Sequence, residues 1–139
     1  MVADVPDRHR HPGPRHYAQL AHGRGVRAAR LQVIENEIAK NVGRGDLSVG
    51  LVAAKLGVTS RYVHLLLEET GKSFTHHVLD RRLEKAAALL RDPRWRHRKI
   101  ADIAAEAGFT DLSYFNRTFR RHFAATPSDI RAAADLEVR

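Results

Sequence analysis

Apolar residues recur at the spacing of an α-helix over most of the chain, and no segment shows the strict alternation of a half-buried strand. In the first helical segment Leu31, Ile34 and Ile38 fall three and four residues apart, which would line one face of a helix. Asn41 and Gly43 form a stop signal, so the pattern predicts a helix of roughly 14 residues that ends there. The sequence therefore indicates an all-α protein.

Two short helices follow, and a glycine turn separates them. Ser48 is a good N-cap for the first helix, which ends at Gly57. Thr59 or Ser60 caps the second helix, and Gly71 closes it. The residues predicted to be buried in this pair are Leu51, Val52, Leu56, Val63, Leu66 and Leu67.

A longer helix is predicted between Ser73, its N-cap, and a stop at Asp92 and Pro93. Apolar residues keep a period of 3.6 across this segment, which would hold about 18 to 20 residues. Its predicted buried residues are Phe74, Val78, Leu79, Leu83, Ala86 and Leu90.

The pattern of the two short helices is then repeated further along the chain. At an offset of 51 residues Gly57 aligns with Gly108, and after one extra turn residue Val63 aligns with Phe115 at an offset of 52. Each copy is a short helix, a glycine turn and a second helix with one apolar face, which is the pattern of a helix-turn-helix. The phenylalanines expected to hold the last helix and its turn to the core are Phe109, Phe115, Phe119 and Phe123.

Composition favours a polyanionic partner. The chain of 139 residues has 24 Lys and Arg against 16 Asp and Glu, so its net charge is +8, which points to nucleic acid ahead of a membrane surface. It has no cysteine, which excludes disulfides, thiolate zinc sites and cysteine nucleophiles. No apolar run approaches the roughly 20 residues that cross a bilayer, so we expect a cytoplasmic protein without a membrane partner.

The N-terminal segment differs in composition from the rest. Residues 1–25 hold three of the five prolines, four of the nine histidines and few aliphatic residues. Such a segment cannot bury enough apolar surface to offset its ordering entropy, so we predict a disordered basic segment. Its histidines lack supporting carboxylates or thiolates, and no metal site is expected there. Residues 26–139 are then one domain.

The outward face of the last repeated helix carries side chains that match base edges. Ser113, Asn116 and Arg117 lie three and four residues apart. Arg can donate two hydrogen bonds to guanine, Asn can pair with adenine, and Ser suits either base. A solvated helix face is the alternative interpretation.

The repeat supports the DNA interpretation. The offset of 52 maps the three side chains onto Arg61, His64 and Leu65, of which the first two are polar. Leu65 can at most contact a thymine methyl group. The long helix between the copies would be about 27–30 Å long, close to the roughly 34 Å between successive major-groove segments on one DNA face. One chain could therefore hold two reading helices over adjacent grooves.

The segment from about Leu47 to Arg131 resembles the DNA-binding domain of the AraC/XylS family of bacterial transcription regulators. The matching motifs are LSVGLVAAKLGVTSRYVHLLLEETGKSF, VLDRRLEKAAALLRDP and IADIAAEAGFTDLSYFNRTFRRHFAATPSDIR, and the third is close to the family signature. The resemblance implies a homeodomain-like fold of seven helices, in which the long helix joins two helix-turn-helix units. The expected segments are the first helix-turn-helix at 47–71, the linker helix at 73–92, the second helix-turn-helix at 99–123 and a C-terminal helix at 127–136.

The resemblance also implies which residues contact DNA. Expected base-reading residues are Ser60, Arg61, His64, Ser113, Asn116 and Arg117. Phosphate contacts are expected, independently of the resemblance, from basic residues that crowd the entry to the second unit and from residues beside the reading helices. They are Thr59, Arg94, Arg96, Arg98, Lys99, Arg120 and Arg121. A merely solubilising loop is the alternative for the arginines around Trp95, which we expect to be a partly buried anchor.

Two residues depart from the family. Leu65 stands where the family commonly has Arg. Lys99 stands where a Ser or Thr cap is expected, and a cation at a helix N-terminus is unfavourable by a few tenths of a kcal/mol unless a phosphate lies near.

The sequence is thus interpreted as a sequence-specific transcription regulator that binds double-stranded promoter DNA as a monomer, most simply an activator that contacts RNA polymerase. The alternatives are an architectural DNA-binding protein without sequence preference, the DNA-binding remnant of a longer effector-sensing regulator, and a protein-interaction remnant of a regulator that no longer binds DNA. No phosphate loop, nucleophile motif or metalloprotease motif occurs, so neither catalysis nor a cofactor is expected.

Overall fold

The computed structural model describes residues 14–138, which form seven α-helices and one 3₁₀ turn, with no strand in that range. The prediction of an all-α fold is confirmed. The helices are α1 (Pro14–Asn41), α2 (Val49–Leu56), α3 (Ser60–Glu68), α4 (Phe74–Arg91), α5 (Ile100–Glu106), α6 (Leu112–Phe123) and α7 (Pro127–Val138), with the 3₁₀ turn at Pro93–Trp95 between α4 and α5. The chain divides into two compact units between Val33 and Ile34, within α1.

The first helix is longer than the sequence predicts. Residues 1–13 of the predicted disordered segment lie outside the described residues, but 14–25 are helical and extend α1 to 28 residues. Pro14 is compatible with a first turn, because the N–H that proline lacks would have no partner there. The following residues include Ala, Gln and Leu, which are good helix formers, and each adds one hydrogen bond to a helix already nucleated by residues 26–41.

Side-chain caps begin the middle helices at the residues that the sequence indicates. Ser48, Thr59 and Ser73 each accept a hydrogen bond of 3.1 Å from the backbone N–H three residues later. Asp111 does the same at α6. Lys99 precedes α5 and makes no side-chain cap, as its residue type implies. These local bonds set where each helix starts and therefore which side chains face outward.

The main core cluster is built on α4. Its apolar face packs against α5 and against the phenylalanines of the second repeat. The Phe115 ring lies 4.9 Å from that of Phe109 and 5.4 Å from that of Phe119, measured between centroids. Phe123 is half-buried and packs against the same cluster. The buried members of the cluster are Leu83, Ala86, Ala87, Leu90, Ile103, Ala104, Ala107, Phe109, Phe115 and Phe119.

The first repeat buries the same positions. Val63, Leu66 and Leu67 of α3 are at most 2% exposed, as predicted, and so is Val52 of α2. Leu51 and Leu56, also predicted to be buried, are half-buried. Both repeats therefore place one face of their second helix in the interior and leave the other face outside.

An arginine of α4 joins the end of α1 to the second repeat. Arg82 donates from Nε to the Val42 carbonyl at 2.9 Å and from Nη2 to the Arg44 carbonyl at 3.1 Å. Gly108 lies against the same Val42 carbonyl with a φ of +100°, and a Cβ at this position would overlap that oxygen. The glycine of the second turn is thus required both by its backbone conformation and by the close approach of residue 42.

Candidate nucleic-acid interface

The outward face of α6 gathers polar side chains into one surface. Ser113, Asn116 and Arg117 are exposed, and with Arg120 and Arg121 they line a single shallow concavity. On the opposite face Phe115 and Phe119 are 0% exposed and Thr118 is 6% exposed. The helix therefore cannot turn its polar side inward without losing the core. The three predicted base-reading residues of the second repeat lie side by side.

Arg117 has an aromatic neighbour on its own helix. Its guanidinium lies 5.7 Å from the ring centroid of Tyr114, which is 39% exposed. The Tyr114 ring is in turn 6.4 Å from the buried ring of Phe109. A cation over an aromatic face is held by about 0.5–1 kcal/mol at an exposed site. Tyr114 therefore limits the directions in which Arg117 points, a role that the sequence analysis missed although the spacing of three residues is a helical one.

The outward face of α3 is less uniform than that of α6, since its residues differ in polarity and exposure. Arg61 and His64 are exposed, Ser60 is half-buried, and Leu65 is 48% exposed. His64 lines a concavity with the end of α3 and the segment before α4, and Arg61 is not part of it. The predicted reading residues Arg61 and His64 are thus both exposed, but they do not line one shared concavity. The reading residues of α6 do.

Acidic side chains hold three of the predicted phosphate-binding arginines. Asp92 binds Arg94 through both carboxylate oxygens, with a distance of 2.9 Å to Nη2, and this hydrogen bonding keeps the pKa of Asp92 below its usual value. The other two pairs are looser, and all four of these side chains are partly exposed to solvent. They are Arg96 with Asp135 at 3.7 Å and Arg98 with Asp102 at 4.0 Å.

Trp95 supports this arginine loop. The residue is half-buried and packs against the main core, which confirms it as an anchor. The guanidinium of Arg98 lies 4.7 Å from the centroid of its ring. From α7, Arg131 donates from Nη2 to the Arg98 carbonyl at 2.7 Å. The loop between α4 and α5 is therefore fixed on both sides.

The remaining predicted phosphate contacts are less constrained. Lys99, Arg120 and Arg121 are exposed and form no ion pair with a described residue. Thr59 uses its hydroxyl oxygen to cap α3 and can still donate its O–H to an anion. Four possible phosphate contacts thus lie near the two predicted reading helices or at the start of α5.

The sequence analysis did not identify Asp92 and Asp135 as acidic partners on this surface. Asp92 was interpreted as a helix stop, although an Asp two residues before an Arg is within reach of it. Asp102 follows Arg98 by four residues, a spacing that favours an ion pair within a helical turn. Asp135 is 39 residues from Arg96, and no local pattern could have indicated that contact.

Comparison with known proteins identifies this arrangement. The family model of a helix-turn-helix domain matches residues 52–133, which is more than half of the chain. The chain belongs to the AraC/XylS family of DNA-binding transcription regulators. The resemblance noted in the sequence, and the two helix-turn-helix units that it implies, are therefore confirmed.

Similar sequences are named as activators. The transcriptional activator RhrA of Rhizobium meliloti is 36% identical over 105 residues, which cover 76% of this chain and 33% of the activator. The transcriptional activator NphR of a Rhodococcus species is 31% identical over 97 residues, which cover 70% of this chain and 28% of that protein. This chain therefore spans about a third of the length of these two relatives.

Solved structures share the fold. An AraC-type transcriptional regulator from Chromobacterium violaceum superposes with a TM-score of 0.70 at 27% identity and covers 77% of this chain and 93% of its own. The C-terminal domain of AraT, a response regulator from Geobacillus stearothermophilus, has a TM-score of 0.64 at 29% identity, over 74% of this chain and 84% of its own.

Among the described residues, no helix is both long enough and apolar enough to span a membrane.

Proposed function

We propose that this protein regulates transcription by inserting α3 and α6 into successive major-groove segments of a promoter. The observation that supports this most directly is the pairing of a fully buried aromatic face on α6 with an exposed face of Ser113, Asn116 and Arg117. A helix built in this way presents hydrogen-bonding groups at its surface without uncovering the core. In α3 the buried face is aliphatic, and the related outward positions hold the polar Arg61 and His64 together with Leu65.

The exposed side chains suit particular base edges. Arg117 would donate two hydrogen bonds to O6 and N7 of a guanine, and Asn116 would pair with N6 and N7 of an adenine. Ser113 can donate or accept. In the first unit Arg61 would contact a guanine, and His64 can donate from one ring nitrogen and accept at the other. Ser60 is half-buried at the start of α3. Its hydroxyl group would donate to or accept from a base edge beside the one that Arg61 contacts.

The linker helix supplies the spacing between the two reading helices. α4 has 18 residues, which corresponds to about 27 Å. Major-groove segments on one face of DNA recur after roughly 34 Å, which is close to the length of this helix. One protein molecule would then contact both segments, so we propose that it binds its site as a monomer.

The basic side chains around the reading helices would hold the DNA backbone. Such contacts give affinity without sequence preference and make binding sensitive to salt. Lys99, Arg120 and Arg121 can contact phosphates directly. Three other arginines would first have to leave their carboxylate partners, and they are Arg94, Arg96 and Arg98. The free energy gained from each phosphate contact is therefore partly offset by the loss of an ion pair. Thr59 would donate its hydroxyl to a phosphate beside α3.

We further propose that the protein acts as an activator and contacts RNA polymerase at promoters in the bacterial cytoplasm. The support is that the similar proteins RhrA and NphR are both named transcriptional activators.

Selection of binding sites from a random DNA pool tests the proposal. The wild-type protein should enrich one motif with two parts about one helical turn apart, and this binding should resist an excess of random DNA. Arg117→Ala should relax the motif at one position, whereas Arg121→Ala should weaken all sites evenly and leave the motif unchanged. If the wild-type protein enriches no motif, or if random DNA competes equally, the proposal is wrong.

A further inference from the structure

Large apolar side chains that remain in solvent are concentrated on the two reading helices. In the part of the chain with described side chains, five such residues stand out, and three of them lie on α3 or α6. Those three lie on helices whose core-facing residues are already buried. A single exposed leucine is common on protein surfaces, so the significance of each of these residues depends on the surface to which it belongs. The five residues are Val33, Leu65, Leu112, Tyr114 and Leu136.

Leu65 belongs to the reading face of α3. It follows Arg61 by four residues, so the two side chains lie one above the other on the helix. The apolar stripe of α3 consists of Val63, Leu66 and Leu67, which are 0–2% exposed, whereas Leu65 is 48% exposed. Leu65 is therefore not needed to pack the core, and a helix that carried Arg61 into a groove would carry Leu65 with it.

The major groove offers one apolar group to such a side chain. Thymine presents a 5-methyl group there, whereas guanine, adenine and cytosine carry no methyl group and present mainly hydrogen-bonding atoms at their edges. A leucine placed against those atoms would remove water from them and return no hydrogen bond, which is unfavourable. Against a thymine methyl it would bury apolar surface on both sides.

We propose that Leu65 reads the 5-methyl group of a thymine in the first part of the binding site. The repeat places Arg117 at the corresponding position of the second unit, 52 residues later. Arg117 prefers guanine, because its guanidinium can donate two hydrogen bonds to that base. At the base position that this helical position contacts, the first part of the site should therefore have thymine and the second part guanine. The inference rests on the proposed function and adds the chemical group that the first unit recognises.

The test uses the full chain and the motif selected from the random pool. Each thymine in the first part of the motif is replaced in turn by deoxyuridine, which removes the methyl group and keeps the base pair. We expect one replacement to weaken binding by about threefold to fivefold, the effect of one buried methyl group. Replacing that thymine by 5-methylcytosine should retain more affinity than replacing it by cytosine.

Variants then connect this effect to the side chain. Leu65→Ala should bind the thymine and deoxyuridine sites equally, since the contact is already gone. Leu65→Arg should change the selected base at that step from thymine to guanine, as at the equivalent position of the second unit. Leu136→Ala is the matched control, because Leu136 is 70% exposed on α7 and its removal should leave the methyl effect intact.

The outcomes separate this inference from the proposed function. If the wild-type protein selects a motif but tolerates deoxyuridine at every position of its first part, the role of Leu65 is overturned and sequence-specific binding stands. The same holds if Leu65→Ala keeps the full sensitivity to the methyl group, since another residue must then contact it. If no motif is selected at all, the proposed function itself fails.

Discussion

Arg82 donates a hydrogen bond from Nε to the carbonyl oxygen of Val42 at 2.9 Å, which ties the linker helix to the residue that follows α1. The two residues are 40 positions apart in the chain. Gly108, in the turn of the second helix-turn-helix, packs against the same carbonyl. Three segments that are distant in sequence therefore meet at one backbone oxygen, and the position of the second reading helix depends on that junction.

Replacement of Arg82 by methionine should destabilise the fold. The change keeps most of the apolar stem but leaves the carbonyls of Val42 and Arg44 without this donor, and we expect a loss of about 1–3 kcal/mol in the free energy of unfolding. Urea denaturation followed by circular dichroism measures it. Arg81→Met is the control, since its ion pair with Glu84 is partly exposed and should contribute less than about 0.5 kcal/mol. Equal losses in the two variants would contradict the role of Arg82.

Gly108→Ala should be more damaging than Gly57→Ala. Both glycines have positive φ, at +100° and +68°, so alanine is strained at each position by about 1–2 kcal/mol. At Gly57 nothing lies near an added Cβ, whereas at Gly108 the methyl would overlap the Val42 carbonyl. The larger drop in thermal stability should therefore occur at position 108, and a smaller drop there than at position 57 would show that the close approach is not important.

The loop before α5 should control how binding depends on salt. Replacing Arg96 and Arg98 together by alanine should weaken binding to specific and random DNA alike and reduce the slope of log K against log salt by about 0.9 for each lost phosphate contact. Titrations at several salt concentrations measure the slope. Lys40→Ala with Arg44→Ala removes the same net charge elsewhere and should change the slope less. An unchanged slope in the loop variant would reject the phosphate assignment.

Asp135→Asn should strengthen DNA binding. The change removes the carboxylate that lies 3.7 Å from Arg96, and that arginine can then contact a phosphate without losing an ion pair. Because the pair is partly exposed, the expected gain is about twofold in affinity at low salt. Glu137→Gln on the same helix changes the net charge equally and is the control. If both variants gain the same affinity, the effect comes from overall charge and not from Arg96.

His77 should make stability depend on pH. Burial is the largest effect on the pKa of His77 and lowers it from the usual 6.5, although Glu35 and Asp80 act in the opposite direction. Its Nε2 lies 2.8 Å from the Thr70 hydroxyl oxygen. Because the pKa is lower in the folded protein, the unfolded chain binds more protons in the interval between the two values. Stability should therefore decrease as pH falls through 6.5.

The measurement for His77 compares the free energy of unfolding at about pH 7.5 and about pH 5.5. The decrease should be smaller in His77→Gln than in the wild-type protein. His97→Gln, at an exposed position in the arginine loop, should behave like the wild type. If all three proteins lose stability equally, His77 does not carry the effect.

Most of the helix boundaries follow from the sequence because their causes are local. The caps at Ser48, Thr59, Ser73 and Asp111 each bond a backbone N–H three residues away, so a short segment contains both partners. The start of α1 was predicted wrongly, since composition indicated disorder up to residue 25 whereas the helix begins at Pro14. Composition indicates how much apolar surface a segment can bury. It does not account for a neighbouring helix, which can extend into the segment without a second nucleation step, and nucleation is the costly part of helix formation.

The candidate interface likewise has features that local sequence predicts and features that depend on tertiary packing. The exposure of Asn116 and Arg117 follows from their spacing relative to the buried phenylalanines, which the periodicity already indicates. The pairing of Arg96 with Asp135 does not, because those residues lie on segments whose relative placement depends on the packing of α7.

By itself, the sequence determined the helix types, their caps, the duplicated unit and the face that each reading helix turns outward, because interactions within one or two helical turns decide these features. Only the tertiary structure decided which distant groups meet, such as Arg82 with Val42, and which basic side chains already have an acidic partner. Contacts between separate helices depend on crossing geometry and close packing, which residue spacing along one helix does not encode.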